Sequence, residues 1–234
     1  MIKIYGKNCI NEAIRGNTDS IREVFIEESK AKESQKFIAM LNDKKIKYAI
    51  KNKAFMDKEF LNKHQGYAAY RDDYKTYELE DFFKTKKCAK RLVILDGIQD
   101  PHNFGAILRS CDAFGIDGVI LPKNRSVAIT EVVAHVSTGA IEFVPICYVN
   151  SLTNTIRLLK ENNFWIVGTD ASGDASFADI DKKLNLAIII GSEGFGMSKS
   201  ILKDVDYLLS IPMIGHVNSL NASVSAGIVL HNLM

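Results

Sequence analysis

The sequence predicts an α/β protein built on a mainly parallel sheet with helices on both faces, preceded by a small α/β domain. Three observations carry that expectation. From residue 91 onward, short aliphatic runs alternate with helical stretches, the pattern of strands covered on both faces. Residues 1–80 have another texture, with brief strand-like runs set between lysine-rich amphipathic segments. Between them, residues 81–90 end in KTKKCAK, which is polar, lacks apolar periodicity and reads as a linker.

Taken in order, VFI (24–26) and YAI (48–50) predict strands in the front segment, and 32–45 an amphipathic helix. Beyond the linker come strand RLVILDG, helix NFGAILRSCDAFG, strand GVILP, a helix over 129–137, strand FVPICYV and helix SLTNTIRLLKENN. Strands FWIVGTD and LAIIIG follow, then a helix near 199–204, strand YLLSIPM and a final helix from residue 219. The first of these helices opens with Pro101, and either Asp100 or Asn103 can cap its free amides. Its stripe of Phe104, Ile107, Leu108, Cys111 and Phe114 must face the core, while Arg109 lies outside it. The final helix is apolar on two sides: Leu220, Val224 and Ile228 form one row, and Ala222, Ala226, Val229 and Leu233 the other. The first row is expected to face the sheet. The second, with the chain ending at Met234, needs cover from elsewhere.

At 234 residues, 47% hydrophobic and 25% charged, the chain is long enough to bury a sizeable core. MIKIYGKNC has no apolar signal core, and the longest aliphatic run, 186–190, is too short to span a bilayer. A cytoplasmic protein without a membrane segment is expected. Cys9, Cys88, Cys111 and Cys147 lie far apart with no metal-ligand spacing, so structural roles and no metal are expected. Charge is uneven: residues 1–90 carry 20 Lys and Arg against 14 Asp and Glu, and the remainder 10 against 14. A basic front segment suits nucleic acid, although a solvated lysine-rich surface accounts for the same imbalance.

In a parallel sheet, ligands gather outside the carboxyl ends of the strands. Four loops there are polar or glycine-rich: 96–105, 169–172, 191–196 and 212–221. Three fall in the last third of the chain, so the site is expected to be built late. The stretch LAIIIGSEGFGMSKS invites a phosphate-loop reading and fails it. Gly191 and Gly196 have the outer spacing of such a loop, but Met197 stands where its lysine belongs. Glu193 also puts a carboxylate where a phosphate would be repelled, so the ligand is not anionic at that point. Asn103 and Arg109 lie near a strand's carboxyl end. Asn218, Ser219 and Asn221 supply more polar groups than one helix cap needs.

LDGIQDPHNFGAILRSCDAFGIDGVIL, IIIGSEGFGMS and LSIPMIGHVNSLNASVSAGIVL resemble, in order, the three motifs of the SpoU (TrmH-type) branch of the SPOUT RNA methyltransferases. YGKNCINEAI and HQGYAAY resemble the opening helix and closing segment of the ribosomal-protein-like RNA-binding domain that precedes this catalytic domain in some members. The resemblance implies an RNA-binding domain at 1–80, a catalytic domain at 91–234 and a C-terminal trefoil knot, a rarity among folds. It implies S-adenosylmethionine as cofactor, whose cationic sulfonium suits a glycine loop bearing an acid. The implied reaction is 2′-O-methylation of a ribose, most like that of a guanosine in large-subunit ribosomal RNA, with transfer RNA the alternative. Thr169, Gly191, Ile211 and Leu220 match cofactor positions, and Asn103, Arg109, Glu193, Ser219 and Asn221 active-site positions.

In that picture Arg109 grips the target phosphate and ribose, Asn103 and Glu193 orient it, and Ser219 and Asn221 fix nearby backbone. A homodimer is implied, joined through the final helix, with Leu220, Val224 and Ile228 toward the cofactor and the Ala222 row toward the second copy. Removal of residues 1–80 is expected to leave a folded domain that has lost its grip on RNA. Two other readings remain at the level of residues. An RNA-binding protein of this fold without catalysis is disfavoured by Asn103, Arg109 and Glu193 occurring together. An ordinary doubly wound nucleotide-binding enzyme is disfavoured by the missing first-loop fingerprint.

Overall fold

The protein is described from a computed structural model that covers residues 1–60, 64–84, 90–192, 196–217 and 219–234. Its chain forms two units, one of Met1–Tyr74 with Ile129–Phe143, the other of Lys75–Ala128 with Val144–Met234.

The first unit carries β1 (Ile2–Tyr5), α1 (Lys7–Asn17), β2 (Ile21–Glu27), α2 (Glu28–Ala31), α3 (Gln35–Asp43), β3 (Tyr48–Lys51), α4 (Lys53–Phe60) and β4 (Tyr67–Arg71). Strand order is β1-β4-β2-β3, with β4 antiparallel to both neighbours and β2 parallel to β3. α1 buries Cys9, Ile10, Ala13 and Ile14, a single stripe at helical spacing, against Ile4, Val24, Ile26 and Leu41. The amphipathic stretch expected over 32–45 narrows to α3, entered through a tight turn at Lys32–Ser34.

The stretch expected as a linker, 81–90, begins inside a 3₁₀ turn, Leu79–Phe83, whose Leu79 and Phe82 are buried in the second unit's core. Those apolar side chains make it part of that core rather than a tether. The rest of the expected linker, residues 85–89, lies outside the described residues.

The second unit begins with β5 (Arg91–Asp96), α5 (Pro101–Ala113) and β6 (Gly118–Pro122). Asp100 caps α5, its carboxylate accepting the His102 N–H at 3.0 Å, and Pro101 occupies the first turn, where it removes no needed donor. The chain then returns to the first unit for α6 (Glu131–Val136), which Thr130 caps. It re-enters the second unit for β7 (Ile146–Val149), α7 (Leu152–Glu161), β8 (Phe164–Thr169), β9 (Asn185–Gly191), α8 (Lys199–Leu202), β10 (Tyr207–Leu209) and α9 (Ala222–Asn232).

These six strands make one sheet in the order β10-β8-β9-β5-β6-β7, parallel at every pairing. Leu92, Ile94, Ala187 and Ile189 pack with Ile156 and Leu159 of α7 and Ile201 of α8. Strand alternation sends Val93, Leu95, Ile188 and Ile190 to the other face, and all four are buried. α5 and α9 pack on each other, and α9 also packs on β9. At the amino end of the sheet, buried Arg91 donates to the carbonyls of Leu184 (2.6 Å), Lys182 and Leu233 (3.4 Å), which fastens the end of α9 beside the start of β5.

The allegiance of 129–143 is held by specific contacts within the first unit. Arg71 and Glu142 form an ion pair with each side chain only 3% exposed, and the Arg71 guanidinium lies 3.5 Å from the centroid of the Tyr74 ring. The Cys9 thiol donates to the Ala134 carbonyl at 3.5 Å. Gly139, at φ +95°, stands where a Cβ would meet the Glu12 Cβ at 2.3 Å, so only glycine lets this turn close on α1. This corrects the expectation that removing residues 1–80 leaves an intact remainder. The cut takes away Arg71 and α1, stranding Glu142 and the apolar side of α6. Glu142→Ala should destabilise the protein by about 3–5 kcal/mol, because it leaves the Arg71 charge buried without a partner. Urea unfolding of the variant beside the parent checks this, and a loss below about 1 kcal/mol would contradict it.

Candidate functional site

A cavity of ≈ 270 Å³ opens at the carboxyl ends of β8, β9 and β10, where the late polar loops were expected to meet. Thr169, Gly191, Ile211 and Leu220 all line it, and so does Ser219. The Thr169 hydroxyl donates to the Ile189 carbonyl at 3.0 Å, which ties the end of β8 to β9. Asp170 N–H donates to the Leu209 carbonyl at 2.9 Å, which continues the sheet one residue past β8. Gly191 sits where main chain crosses main chain: a Cβ there would lie 2.4 Å from the Gly196 carbonyl carbon and 2.6 Å from its oxygen. Ser192 and Gly196 exchange N–H to carbonyl bonds of 3.1 and 3.0 Å. Glu193, between them, lies outside the described residues, as does Asn218.

Asp170 also lines the cavity and was not singled out as a site residue in the sequence. Its carboxylate accepts the Ser172 hydroxyl at 2.7 Å and the Ser172 N–H at 2.9 Å. Those two bonds hold its carboxyl below the usual carboxylate range, so it stays ionised at neutral pH. The available clue was the spacing of Asp170 and Ser172 in a loop already marked as polar. A half-buried anion on the wall suits a ligand that carries hydroxyls or positive charge.

Beside the cavity, the starts of α5 and α9 meet. Asn221 caps α9: its Oδ1 accepts the Ser223 N–H at 3.0 Å, the Val224 N–H at 3.3 Å and the Ser223 hydroxyl at 2.6 Å. With the oxygen so engaged, its Nδ2 donates to Asn103 Oδ1 at 2.9 Å. Each amide therefore fixes the orientation of the other, and two positions 118 residues apart become one unit. Arg109 stands apart. It is exposed on α5, six residues past Asn103, hence about 9 Å further along the helix axis and on another face. It does not line the cavity among the described residues.

The faces of α9 depart from the expectation, although Leu220 does line the cavity. Ala222, Ala226, Val229 and Leu233 are buried within the protein's own second unit, and Val224 is 50% exposed, with Leu220 and Ile228 half-buried. The small residues at 222 and 226 permit a close approach within the unit instead of admitting a second copy. Among the described residues no group of three His, Cys, Asp or Glu could hold a metal, and no helix is long and apolar enough to cross a membrane.

Comparison with known proteins agrees with this geometry. The sequence profile of the SpoU rRNA Methylase family matches residues 90–231, and that of the RNA 2′-O ribose methyltransferase substrate-binding domain residues 3–77. A Staphylococcus saprophyticus protein described as a TrmH family tRNA/rRNA methyltransferase is 42% identical over 237 residues, 99% of this chain and 94% of the relative. Among solved structures, the SpoU methyltransferase AviRb of Streptomyces viridochromogenes, in complex with its cofactor AdoMet, superposes with a TM-score of 0.82. It is 22% identical, covering 99% of this chain and 88% of that one. The TrmH/SpoU tRNA modifying enzyme of A. aeolicus superposes over 66% of this chain and 78% of its own, at a TM-score of 0.56 and 27% identity.

The asparagine pair makes a testable claim about stability. Asn221→Ala should cost about 1 kcal/mol through loss of the cap, whereas Asn221→Asp should keep the cap and remain near the parent. Thermal unfolding of both variants measures the difference, and equal losses in the two would show that capping is not what Asn221 does.

Proposed function

The chain belongs to the SpoU rRNA Methylase family, and from that premise we propose that it methylates a ribose 2′-hydroxyl of RNA, with S-adenosylmethionine as donor. The RNA is most like large-subunit ribosomal RNA with a guanosine as target, making this a step of ribosomal RNA processing in the cytoplasm. Transfer RNA is the alternative substrate. One observation carries the reading: the four positions that match the family's cofactor contacts line a single cavity, beside an Asn103–Asn221 pair drawn from two of its motifs. The match of residues 3–77 to a 2′-O ribose methyltransferase substrate-binding domain supports ribose as the acceptor and the first unit as the RNA-binding part.

The cavity suits the cofactor on its own chemistry. Backbone at Gly191, Ile211 and Leu220 offers hydrogen-bonding edges to a flat heterocycle, Thr169 and Leu209 close around it, and ionised Asp170 accepts hydroxyl donors or faces positive charge. When bound, S-adenosylmethionine supplies an electrophilic methyl group on a sulfonium. A C-terminal trefoil knot made by the late loops is supported by the chain path. β10 pairs with β8 on the side away from β9, after which the chain returns to pack α9 on α5.

A sugar hydroxyl is a poor nucleophile, and a guanidinium is too basic to deprotonate it. Arg109 serves instead as a two-pronged clamp on the target phosphate and ribose that stabilises the developing alkoxide, the proton leaving through phosphate or water. Asn103 and Glu193 orient this assembly, and Ser219 and Asn221 hold the adjoining backbone.

Because Arg109 stands off its own cavity, it completes the site of a second copy in a homodimer. Met213, Ile214 and Val217 on the segment that leads into α9, and Val224 in its first turn, support this, since all are exposed apolar residues. A two-fold pairing would cover that patch and carry Arg109 across.

Mapping 2′-O-methylation in RNA from cells with and without the gene tests the reaction and names the nucleotide. An unchanged map would overturn the proposal. Arg109→Ala should leave folding and cofactor binding intact while methyl transfer falls by roughly two orders of magnitude or more, read at saturating RNA and cofactor. Val224→Glu, on the exposed row, should turn dimers into monomers in light scattering. Persistence of the dimer would remove this face from the interface.

A further inference from the structure

A second cleft, of ≈ 450 Å³, opens at the carboxyl ends of β5, β6 and β9. It shares Ser192 and Gly196 with the cofactor cavity, so the two spaces meet at one strip of backbone. Its volume falls in the range of small-molecule sites. Gln99, Asn124 and Arg125 reach into it as exposed side chains, and Asp96 lines it with one oxygen already accepting the Ser198 N–H at 2.7 Å.

The turn that carries Asn124 and Arg125 is built rather than loose. The Ser126 hydroxyl donates back to the Pro122 carbonyl, closing the turn at the end of β6. Val127 N–H donates to the Ile98 carbonyl at 3.0 Å, which bolts this turn to the loop bearing Gln99. The Tyr148 hydroxyl donates to the Val127 carbonyl at 3.0 Å and holds it from β7. Arg125 itself has a φ of +60°, a left-handed conformation that arginine rarely adopts. Strained backbone of this kind persists where the surroundings over-determine it, and it clusters at binding sites. Two fixed loops thus present two carboxamides and a guanidinium to one space beside the methyl-donor cavity.

We propose that this cleft receives the target ribonucleotide of the RNA, with Arg125 on the flanking phosphate that Arg109 does not hold and the Gln99 and Asn124 amides on the edge of its base. The inference rests on the RNA methyltransferase reading above. RNA is read in sequence mostly through single-stranded segments whose unstacked bases are hydrogen-bonded on their edges. Carboxamides, with a donor and an acceptor in one plane, match such edges, and a guanidinium matches a phosphate in two-pronged fashion. The shared strip at Ser192 and Gly196 then puts the ribose at the junction of the two spaces, where its 2′-hydroxyl must be for transfer.

Arg125→Asn is the informative variant, because asparagine tolerates the left-handed backbone while removing the charge. Ribosomal and transfer RNA extracted from cells lacking the gene serve as substrates for the full-length protein, with RNA binding measured by anisotropy across a salt series. The variant should raise the KM for RNA about tenfold and lower the salt slope of binding by about one, with S-adenosylmethionine affinity by calorimetry unchanged. Gln99→Ala and Asn124→Ala should lower kcat/KM without changing the salt slope. Unchanged RNA kinetics and salt slope in Arg125→Asn would overturn the assignment. A parallel loss of cofactor affinity would overturn it too, by giving the cleft to the cofactor. If the parent protein transfers no methyl group to either RNA, it is the methyltransferase reading that fails, and the salt slope of binding still decides the role of Arg125.

Discussion

The ligand cavity depends on main chain lying directly against main chain. At Gly191 a side chain would collide with the Gly196 carbonyl, and at Gly173 a Cβ would fall 2.5 Å from the Leu208 carbonyl oxygen. Only glycine permits such approaches, and they bring the ends of β8, β9 and β10 within one ligand's reach. The Asp170 to Leu209 and Ala175 to Leu208 hydrogen bonds, at 2.9 and 3.1 Å, then lock the crossing. A cavity walled this way offers its ligand backbone N–H and C=O groups that cannot rotate away. It needs few specific side chains, which is why Thr169 and Asp170 are among the few polar side chains on its wall.

The crossing alone would not place Asn221 beside Asn103. That task falls to the two ends of α9, an eleven-residue helix about 16 Å long. Its final turn is held at the amino end of the sheet, where Arg91 gathers the carbonyls of Leu233, Leu184 and Lys182. Its first turn is held at the carboxyl end through the Asn221 cap and the bond to Asn103. Between these anchors Ala226, Val229 and Leu230 are fully buried. A helix pinned at both ends and packed along its length cannot slide, so the asparagine pair keeps a constant position relative to the cavity.

The central strands of the second unit were legible because β5, β6 and β9 are short aliphatic runs buried on both faces. The cavity residues were legible because the motifs that hold them lie at strand ends. What could not be read is which body a buried residue belongs to. The helix expected over 129–137 says nothing of its partners: Ala134 meets Cys9 and Glu142 meets Arg71, each some seventy residues or more away in sequence. The residues expected as a linker failed for the converse reason. The lysines from Lys84 onward masked Phe82, a side chain that is core. Asp170 escaped notice because its importance lies in two hydrogen bonds from Ser172, and composition cannot show where a hydroxyl points.

α9 shows the same limit most sharply. A helix with one apolar stripe announces its buried face, since turning it would put charge into the core. α9 has no charged side chain between Ala222 and Val229, so either row could have been inside by hydrophobicity alone. Volume decides instead. Ala222, Ala226, Val229 and Leu233 are all buried, and Gly227 lies against α5, where an added Cβ would stand 3.6 Å from the Ser110 hydroxyl. Val224 and Ile228, branched at every turn, would hold the axes apart and pull Asn221 out of reach of Asn103. The requirement that the two asparagines meet therefore selects the small-residue face for the interior. The larger apolar row is left less covered, with Val224 50% exposed.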